Sequence, residues 1–301
     1  MHPVSCLICR SQENRLLFTS CDKWSGRNGS YRLVECTRCG LVYINPQPEK
    51  EEVYASFNEN YPLYQRALGK VSASPTASIR PFLRSARELS HRLGRRGEVL
   101  DIGCGDGYFL KAMEMMGWKG VGIDMNPYVC SYGEQKLGLE MYCFDFNEGS
   151  LPDRGRAFDL ITMWGMLQTN PDPLATLKKA VTLLKKGGTI AIRITNVQSL
   201  EARLCGQDWW GWDVPRHLYQ FSHKTLHRLM ELAGLKTIDF HYSVSLWPFC
   251  QNVSVLLGKK NQHIWFSRMV KLAAVAMIYP WLFLLKGTNL GTFMTIHVQE
   301  K

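Results

Sequence analysis

The stretch that decides the fold is Val99-Leu100-Asp101-Ile102-Gly103-Cys104-Gly105-Asp106-Gly107. An apolar run ends there in an acid, glycines follow at every second position, and a helix-like stretch begins at Tyr108. This order predicts a buried strand, a tight turn and a helix N-terminus. Glycines in such a turn let a ligand approach the backbone closely, and the free N–H groups of the helix start can hold an anionic group such as a carboxylate.

A second acid, Asp124, ends the next apolar run, residues 119–123. An acid at the end of the second strand of such a unit can bind both hydroxyls of a ribose. The two features together predict a nucleoside-bearing cofactor at the carboxyl edge of a parallel sheet. A strand–turn–helix junction without a ligand is the alternative that a single glycine loop would leave open.

The glycine pattern is D-x-G-x-G-x-G, whereas nicotinamide-binding folds use G-x-G-x-x-G. It resembles motif I of the class I S-adenosylmethionine methyltransferases. That resemblance implies that the loop holds the methionine end of the cofactor, that the second acid binds its ribose, and that residues 143–146 face its adenine. The cofactor-binding residues implied in this way are Asp101, Gly103, Cys104, Gly105, Gly107, Asp124, Met125, Asp145, Phe146 and Trp164.

The rhythm of the chain after Gly97 predicts a doubly wound α/β sheet of the Rossmann-like methyltransferase type over residues 97–301. The expected strands are 98–102, 119–123, 139–144, 158–163, 189–194, 235–242 and 291–298. The expected helices are 107–116, 127–137, 173–185 and 222–233. Two insertions interrupt this rhythm, at 196–221 and at 243–287.

The N-terminal residues 1–60 contain two C-x-x-C pairs, Cys6 with Cys9 and Cys36 with Cys39. Four thiolates at this spacing predict a closed tetrahedral zinc site, and therefore a structural zinc ribbon. The chain has 10 cysteines and no apolar signal segment at its start. We therefore expect a cytoplasmic protein whose thiols are reduced or bound to metal.

The net charge of +10 is unevenly spread. Residues 61–96 contain eight Lys and Arg but one acid, and residues 253–301 contain six against one. The segment 61–96 is expected to form a basic linker helix that starts at Ser78 and exposes Arg80, Arg84, Arg87 and His91 on one face. Such a face fits the phosphates of nucleic acid or of an anionic membrane surface, and equally a solvated helix surface.

The insertion 243–287 is apolar and contains a run of 14 uncharged residues, 272–285. As a helix that run would span about 21 Å, less than the roughly 30 Å of a bilayer core, and Pro280 would break it. It is therefore expected to be a buried hairpin or a membrane-surface element. Positive charge at both ends favours the membrane surface, which would make the protein peripheral at the inner face of the membrane.

The insertion 196–221 follows the fifth expected strand and should face the ligand crevice as a substrate loop. Its three tryptophans, Trp209, Trp210 and Trp212, can line an apolar pocket or plug the edge of the core. His217 and Arg216 are the predicted catalytic residues, and His217 is the predicted general base because imidazole titrates near neutral pH. A hydrogen-bonded structural histidine is the alternative.

The whole chain resembles a bacterial subgroup of class I methyltransferases that carry an N-terminal zinc ribbon and are labelled as similar to ubiquinone-biosynthesis O-methyltransferases. The matching stretches, beyond the cysteine pairs and residues 101–107, are 171–173, 184–188 and 215–218 followed by Phe221. One departure is that Gln168-Thr169 stands where the family usually has Glu-His. This makes His217 the stronger candidate for the general base. The resemblance implies S-adenosylmethionine as cofactor and O-methylation of a lipid, a lipid-linked sugar or another hydrophobic metabolite.

Two other functions compete with this one. An RNA-modifying methyltransferase is suggested by the zinc ribbon and a pI of about 9.1. A nucleic-acid partner is disfavoured, because the ribbon segment is charge-balanced and no Asn-Pro-Pro-Tyr-type motif follows the fourth strand. The substitution at Gln168 suggests the third candidate, a cofactor-binding scaffold whose catalytic residues have decayed.

Overall fold

The computed structural model describes residues 1–24, 29–65, 67–70, 75–245 and 287–301. Their strands are β1 (Asn14–Ser20), β2 (Tyr31–Cys36), β3 (Val42–Ile44), β4 (Glu98–Ile102), β5 (Lys119–Asp124), β6 (Glu140–Cys143), β7 (Phe158–Trp164), β8 (Leu184–Thr195), β9 (Tyr219–Gln220), β10 (Leu235–Ser243) and β11 (Phe293–Glu300). Their α-helices are α1 (Lys50–Ala55), α2 (Pro75–Leu93), α3 (Tyr108–Met115), α4 (Pro127–Leu137), α5 (Pro173–Thr182), α6 (Leu200–Cys205) and α7 (His223–Leu232).

The main sheet has seven strands in the order β10-β11-β8-β7-β4-β5-β6. Five of them, from β8 to β6, run parallel, and β11 lies antiparallel between β8 and β10. The strand order reverses between β4 and β7, so the carboxyl ends of these two strands flank the switch point at which doubly wound sheets bind ligands. The predicted Rossmann-like methyltransferase fold is confirmed.

Two local predictions were wrong. The helix expected to reach residue 185 ends at Thr182, and the pair Gly187-Gly188 lies inside β8. This happens because Phe158 of β7 pairs with Leu184 while Leu160 pairs with Thr189, so the residues between them bulge out of the ladder.

The second error concerns the start of the basic helix. Helix α2 begins at Pro75, and Ser78 lies buried inside it instead of capping it. The predicted faces are nevertheless observed. Ala86 and Leu89 are buried against α3, and Arg80, Arg84 and Arg87 are exposed.

The cysteine-bearing N-terminal segment forms a second sheet in the order β1-β2-β3-β9. Its last strand comes from the insertion 196–221, where Tyr219 and Gln220 pair with Tyr43 and Val42. The backbone amide of Ile44 also donates to the carbonyl of Leu218, at 3.0 Å. The N-terminal segment is therefore joined to the main domain by a shared sheet and a shared apolar core.

The insertion 196–221 is a packed element that contains α6, two 3-10 turns (Gly206–Asp208 and Trp210–Trp212) and β9. Trp209 is completely buried, and its ring lies 5.2 Å from that of Trp212, which in turn lies 5.0 Å from Phe18 of β1. Two of the three tryptophans thus fill the joint between the two sheets.

The apolar run 272–285 lies outside the described residues, as does most of the insertion that contains it. Among the helices that the structure describes, none is both long and apolar enough to cross a membrane.

Candidate functional site

The turn between β4 and α3 has the backbone that its glycines predict. Gly103 and Gly105 have positive φ angles of 71° and 56°, which other residues adopt at a cost. The amides of Gly103 and Cys104 donate to the carbonyl of Ile123 at 2.8 and 3.1 Å, which ties the turn to the end of β5. Helix α3 then starts at Tyr108, and its N-cap residue Gly107 has no side chain, so no N-cap side chain pairs with the first N–H groups of the helix.

Asp124 ends β5 directly beside this turn. Its Oδ2 accepts a hydrogen bond from the amide of Gly105, and its Oδ1 accepts one from the amide of Asn126, both at 2.9 Å. Burial raises the pKa of this carboxyl, and the two amides act in the opposite direction. The side chain is 8% exposed, and that exposed part faces the crevice, where a ribose hydroxyl can donate to it.

Asp101 is the most buried acid of the site, with 1% of its surface exposed. The hydroxyl of Thr162 on β7 donates to its Oδ1 at 2.6 Å. Burial raises the pKa of Asp101 from 3.8 to about 7, and Asp124 adds to this rise. A cation bound in the crevice would hold this carboxyl in its ionised form.

Asp145 follows β6, and the segment after the N-terminal sheet already contacts it. The hydroxyl of Tyr54 donates to its Oδ2 at 2.7 Å, and the ammonium of Lys50 lies 2.6 Å from the same oxygen. Although burial alone raises it, these two donors lower the pKa of Asp145. Helix α1 is thereby fixed over the acid that was expected to face adenine.

One cavity of about 410 Å³ lies at the carboxyl edge of β4, β5, β7 and β8. Nine of the ten predicted cofactor residues line it, and Gly107 does not. Gly107 shapes the turn instead. Its φ is +80°, and a Cβ there would lie 2.5 Å from the side chain of Leu139.

His217 also lines this cavity, with 6% of its surface exposed. Its Nδ1 lies 2.8 Å from the carbonyl oxygen of Gly211. The side-chain nitrogen of Gln168 lies closer to its Nε2, at 2.7 Å, than to its Nδ1, at 3.0 Å. Because a carbonyl accepts and an amide NH₂ donates, the ring carries its proton on Nδ1 and accepts at Nε2. Burial lowers the pKa of His217, although Asp213, 3.8 Å away, raises it, so the imidazole is neutral at physiological pH.

Gln168, the residue that departs from the expected Glu-His pair, holds this imidazole in place. Its side-chain oxygen accepts from the backbone amide of Thr195, at 3.1 Å, while its nitrogen donates to His217. The amide therefore links the end of β8 to the ring.

A family model described as a methyltransferase domain matches residues 78–239, which include most of α2, the glycine turn, Asp124, Asp145 and His217. This chain belongs to the methyltransferase-domain family.

Two curated relatives are similar to this chain. The ubiquinone biosynthesis O-methyltransferase of Coxiella burnetii is 28% identical to this chain over 210 residues, which cover 64% of this chain and 86% of that protein. The protein of the same name from Xanthomonas campestris pv. campestris is 32% identical over 102 positions, 33% of this chain and 43% of that protein. The match to the Xanthomonas protein thus spans less than half of its length.

A solved structure shares the fold of this methyltransferase domain. It is the magnesium protoporphyrin IX methyltransferase from Synechocystis PCC 6803 with bound SAH, which is 12% identical and has a TM-score of 0.53. The superposition covers 84% of this chain and all of that one. At this identity the likeness concerns the fold alone.

Arg216 lies behind the methyltransferase cavity and does not line it. Its guanidinium is completely buried, 2.8 Å from Asp22 and 2.7 Å from Asp213, and 4.9 Å from the centre of the Tyr61 ring. It also donates to the carbonyl of Ser56 at 3.1 Å. Arg216 therefore joins the N-terminal segment to the loop that carries His217, and its predicted catalytic role stays a prediction.

The four predicted metal ligands of the N-terminal segment come together away from this cavity. The Sγ atoms of Cys6, Cys9, Cys36 and Cys39 all lie within 4.8 Å of one another. Both C-x-x-C turns have the same backbone bonds. The first cysteine of each donates to the carbonyl five residues on, and its own carbonyl accepts from the amide four residues on. This symmetric cluster fits the spacing of thiolates around one tetrahedral zinc ion, whose Zn–S bonds are about 2.3 Å.

The structure adds residues that the sequence analysis missed. Phe57, Tyr61 and Tyr64, from the segment before α2, form one wall of the methyltransferase cavity, with ring centres 5.2 to 6.3 Å apart. Their spacing in the sequence, four and then three residues, is the helical signal that indicates a shared face. Arg193 on β8 is the second omission, signalled by the one charge inside the apolar part of that strand, residues 189–194.

Proposed function

We propose that this protein transfers the methyl group of S-adenosylmethionine to an oxygen of a hydrophobic small molecule. One observation carries the proposal: Asp101, the turn 103–105, Asp124 and Asp145 converge on a single cavity at the switch point of the sheet. Each of these residues matches a different part of the cofactor, so their convergence is hard to explain by packing alone.

The donor set fits the cofactor. The uncapped start of α3 can hold the methionine carboxylate, and the buried Asp101 carboxylate can hold a positive charge beside it. Asp124 can accept from the ribose hydroxyls, while Phe146 offers an apolar surface to the adenine next to Asp145. S-adenosylmethionine supplies an activated methyl group for an in-line displacement, and the protein must align the acceptor and remove its proton.

His217 is our candidate for that proton transfer. The ring is neutral and its accepting Nε2 is held by the Gln168 amide, which an acceptor hydroxyl would replace as the donor. Asp213 Oδ2, 3.8 Å from Nε2, would stabilise the imidazolium as it forms. Arg216 orients Asp213 through its 2.7 Å ion pair and is, on this proposal, a positioning residue.

The walls of the cavity favour an apolar acceptor. Aromatic rings from Phe57, Tyr61, Tyr64 and Trp210 face it. We therefore propose a lipid, a lipid-linked sugar or another hydrophobic metabolite as substrate. The two similar O-methyltransferases support oxygen as the methylated atom.

We propose further that Cys6, Cys9, Cys36 and Cys39 hold one structural zinc ion. All four ligand positions are thiolates, so no position is open for catalysis. The ion would stabilise the sheet that positions α1 over Asp145.

We also propose that the protein binds peripherally to an anionic membrane surface. The exposed guanidinium groups of Arg80, Arg84 and Arg87 lie on one side of α2. Co-sedimentation with vesicles containing anionic lipid tests this, and equal sedimentation with neutral vesicles would contradict it.

Methyl-labelled S-adenosylmethionine and a whole-cell extract test the function itself. Label is expected in the organic fraction with the wild-type protein, with much less for His217→Ala and an unchanged amount for the exposed control His223→Ala. Label in RNA would favour an RNA-modifying enzyme. No label in any fraction, with the cofactor still bound, would favour a scaffold.

A further inference from the structure

Arg193 is a cation at the cavity that has no acidic partner among the described residues. It lies two residues before the end of β8 and is partly buried. Its guanidinium donates to the hydroxyls of Thr295 and Ser85, each at 3.3 Å, and both partners are neutral. In the part of the chain that the structure describes, no carboxylate lies within ion-pair distance of it. Burial lowers its pKa, and the charge of Glu88, which forms its ion pair with Arg84, acts in the opposite direction.

Such a position is unfavourable unless a ligand completes it. A guanidinium has five N–H donors, and these two long bonds use only two of them. Charges that are withdrawn from water are normally paired, because their lost hydration must be replaced. The other described arginines that are withdrawn from solvent, Arg156 and Arg216, have that pairing, with Glu140 and with Asp22 respectively.

Trp164 supplies a second donor at the same place. It is the register partner of Arg193 across β7 and β8, and the guanidinium carbon lies 4.7 Å from the centre of its ring. Its indole Nε1 is buried and has no hydrogen-bond partner among the described residues, although buried indole N–H groups usually find one. Both side chains line the cavity.

We propose that Arg193 and the Trp164 N–H bind a carboxylate or phosphate group of the acceptor. This inference rests on the proposed function and narrows its substrate class to hydrophobic molecules that also carry an acid. A guanidinium that lies against an indole ring brings two kinds of N–H donor to one place, and two oxygens of one anionic group can accept from them.

The cofactor has another place for its own carboxylate. The first turn of α3 has no side-chain cap, and the glycine turn that leads into it lines the cavity at Gly103 and Gly105. Arg193 belongs to β8, with Trp164 of β7 between it and β4, the strand that leads into the glycine turn. The start of α3 is therefore assigned to the carboxylate of the cofactor, and Arg193 with Trp164 is assigned to the anionic group of the acceptor.

Three small probes test the anion site in the protein loaded with S-adenosylhomocysteine (SAH): phenylacetate, phenyl phosphate and the neutral phenylacetamide. We expect at least one of the two anions to bind about tenfold or more tightly than the amide, as measured by calorimetry or NMR titration. Arg193→Gln should abolish this preference, and Trp164→Phe, which keeps the ring, should reduce it. Arg156→Gln and Trp118→Phe, whose polar groups pair with Glu140 and Ser90 away from the cavity, should retain it.

Other results would overturn the inference. These are equal binding of anions and amide by the wild-type protein, or an anion preference that survives Arg193→Gln. Arg193 could instead bind the carboxylate of the cofactor. This is tested by measuring the affinity for SAH and for 5′-methylthioadenosine, which lacks the amino-acid carboxylate. If Arg193→Gln weakens SAH alone, Arg193 serves the cofactor and the acceptor assignment is wrong.

Failure of the proposed function looks different. A wild-type protein that does not bind SAH would contradict methyl transfer, while the probe series in the free protein would still report whether Arg193 selects anions.

Discussion

Asp101→Asn should make the cofactor-free protein more stable at neutral and alkaline pH. The substitution keeps the shape of the side chain, and the amide oxygen can still accept from Thr162, whose hydroxyl lies 2.6 Å from Oδ1. It removes a charge that the fold has to bury almost completely. Acids at cofactor sites are often held at such a cost to stability.

The size of the gain follows from the pKa. Burial raises the pKa of Asp101 from 3.8 to about 7. Below pH 3.8 the carboxyl is protonated in both the folded and the unfolded chain and has no effect. As the pH rises from there to about 7, only the unfolded chain ionises, so the folded state loses stability, and above that range the loss is constant. At about 1.4 kcal/mol per pKa unit, the full loss is about 4 kcal/mol, of which roughly 2–3 kcal/mol develops between pH 5 and pH 8.

Urea unfolding of the wild-type protein and Asp101→Asn at pH 5 and pH 8 measures this directly. The stabilisation is the free energy of unfolding of the variant minus that of the wild type. It should be roughly 2–3 kcal/mol larger at pH 8 than at pH 5. Asp159→Asn is the matched control, because hydrogen bonds from Lys185 and the Glu98 amide outweigh burial and lower the pKa of Asp159. Its loss of stability should be the same at both pH values. If the stabilisation by Asp101→Asn were the same at pH 5 and at pH 8, the reasoning would be refuted.

Three further substitutions test other parts of the account. Asp124→Ala should weaken SAH binding by about 100-fold or more in calorimetry, since two charged hydrogen bonds to a ribose contribute about 3 kcal/mol or more, and an unchanged affinity would exclude the ribose assignment. Arg216→Met should lower the free energy of unfolding by about 3–5 kcal/mol, because it leaves two buried carboxylates without their cation, and a loss below about 1 kcal/mol would contradict the role of this ion pair. Cys39→Ser should remove one zinc ion per chain by elemental analysis while the exposed Cys21→Ser leaves the content unchanged, and a metal-free wild-type protein would contradict the zinc site.

The order and type of the main strands could be predicted because each apolar run ends in a recognisable signal. The stretch ending at Asp101 and its glycines defines β4 and α3, and the acids at 124 and 145 follow the next two strands. Local chemistry was sufficient there, since a positive φ favours glycine and a buried strand favours apolar residues.

Features that depend on tertiary contacts could not be predicted in this way. Nothing local indicates that Tyr219 pairs with Tyr43, so the union of the two sheets was missed. Arg216 lies beside His217 in the sequence, but its partner Asp22 is 194 residues away, and only the fold shows that its guanidinium turns from the cavity. The wall formed by Tyr61 and its neighbours was missed for the same reason, because an aromatic residue in a connecting segment has no local signal for what it covers.

Binding of SAH to the purified protein, with NAD as the competing ligand, tests the central claim most directly. The D-x-G-x-G-x-G turn, the two acids and the cavity predict saturable binding of one SAH per chain and no binding of NAD. Binding of NAD in place of SAH, or of neither ligand by a folded protein, would contradict the account.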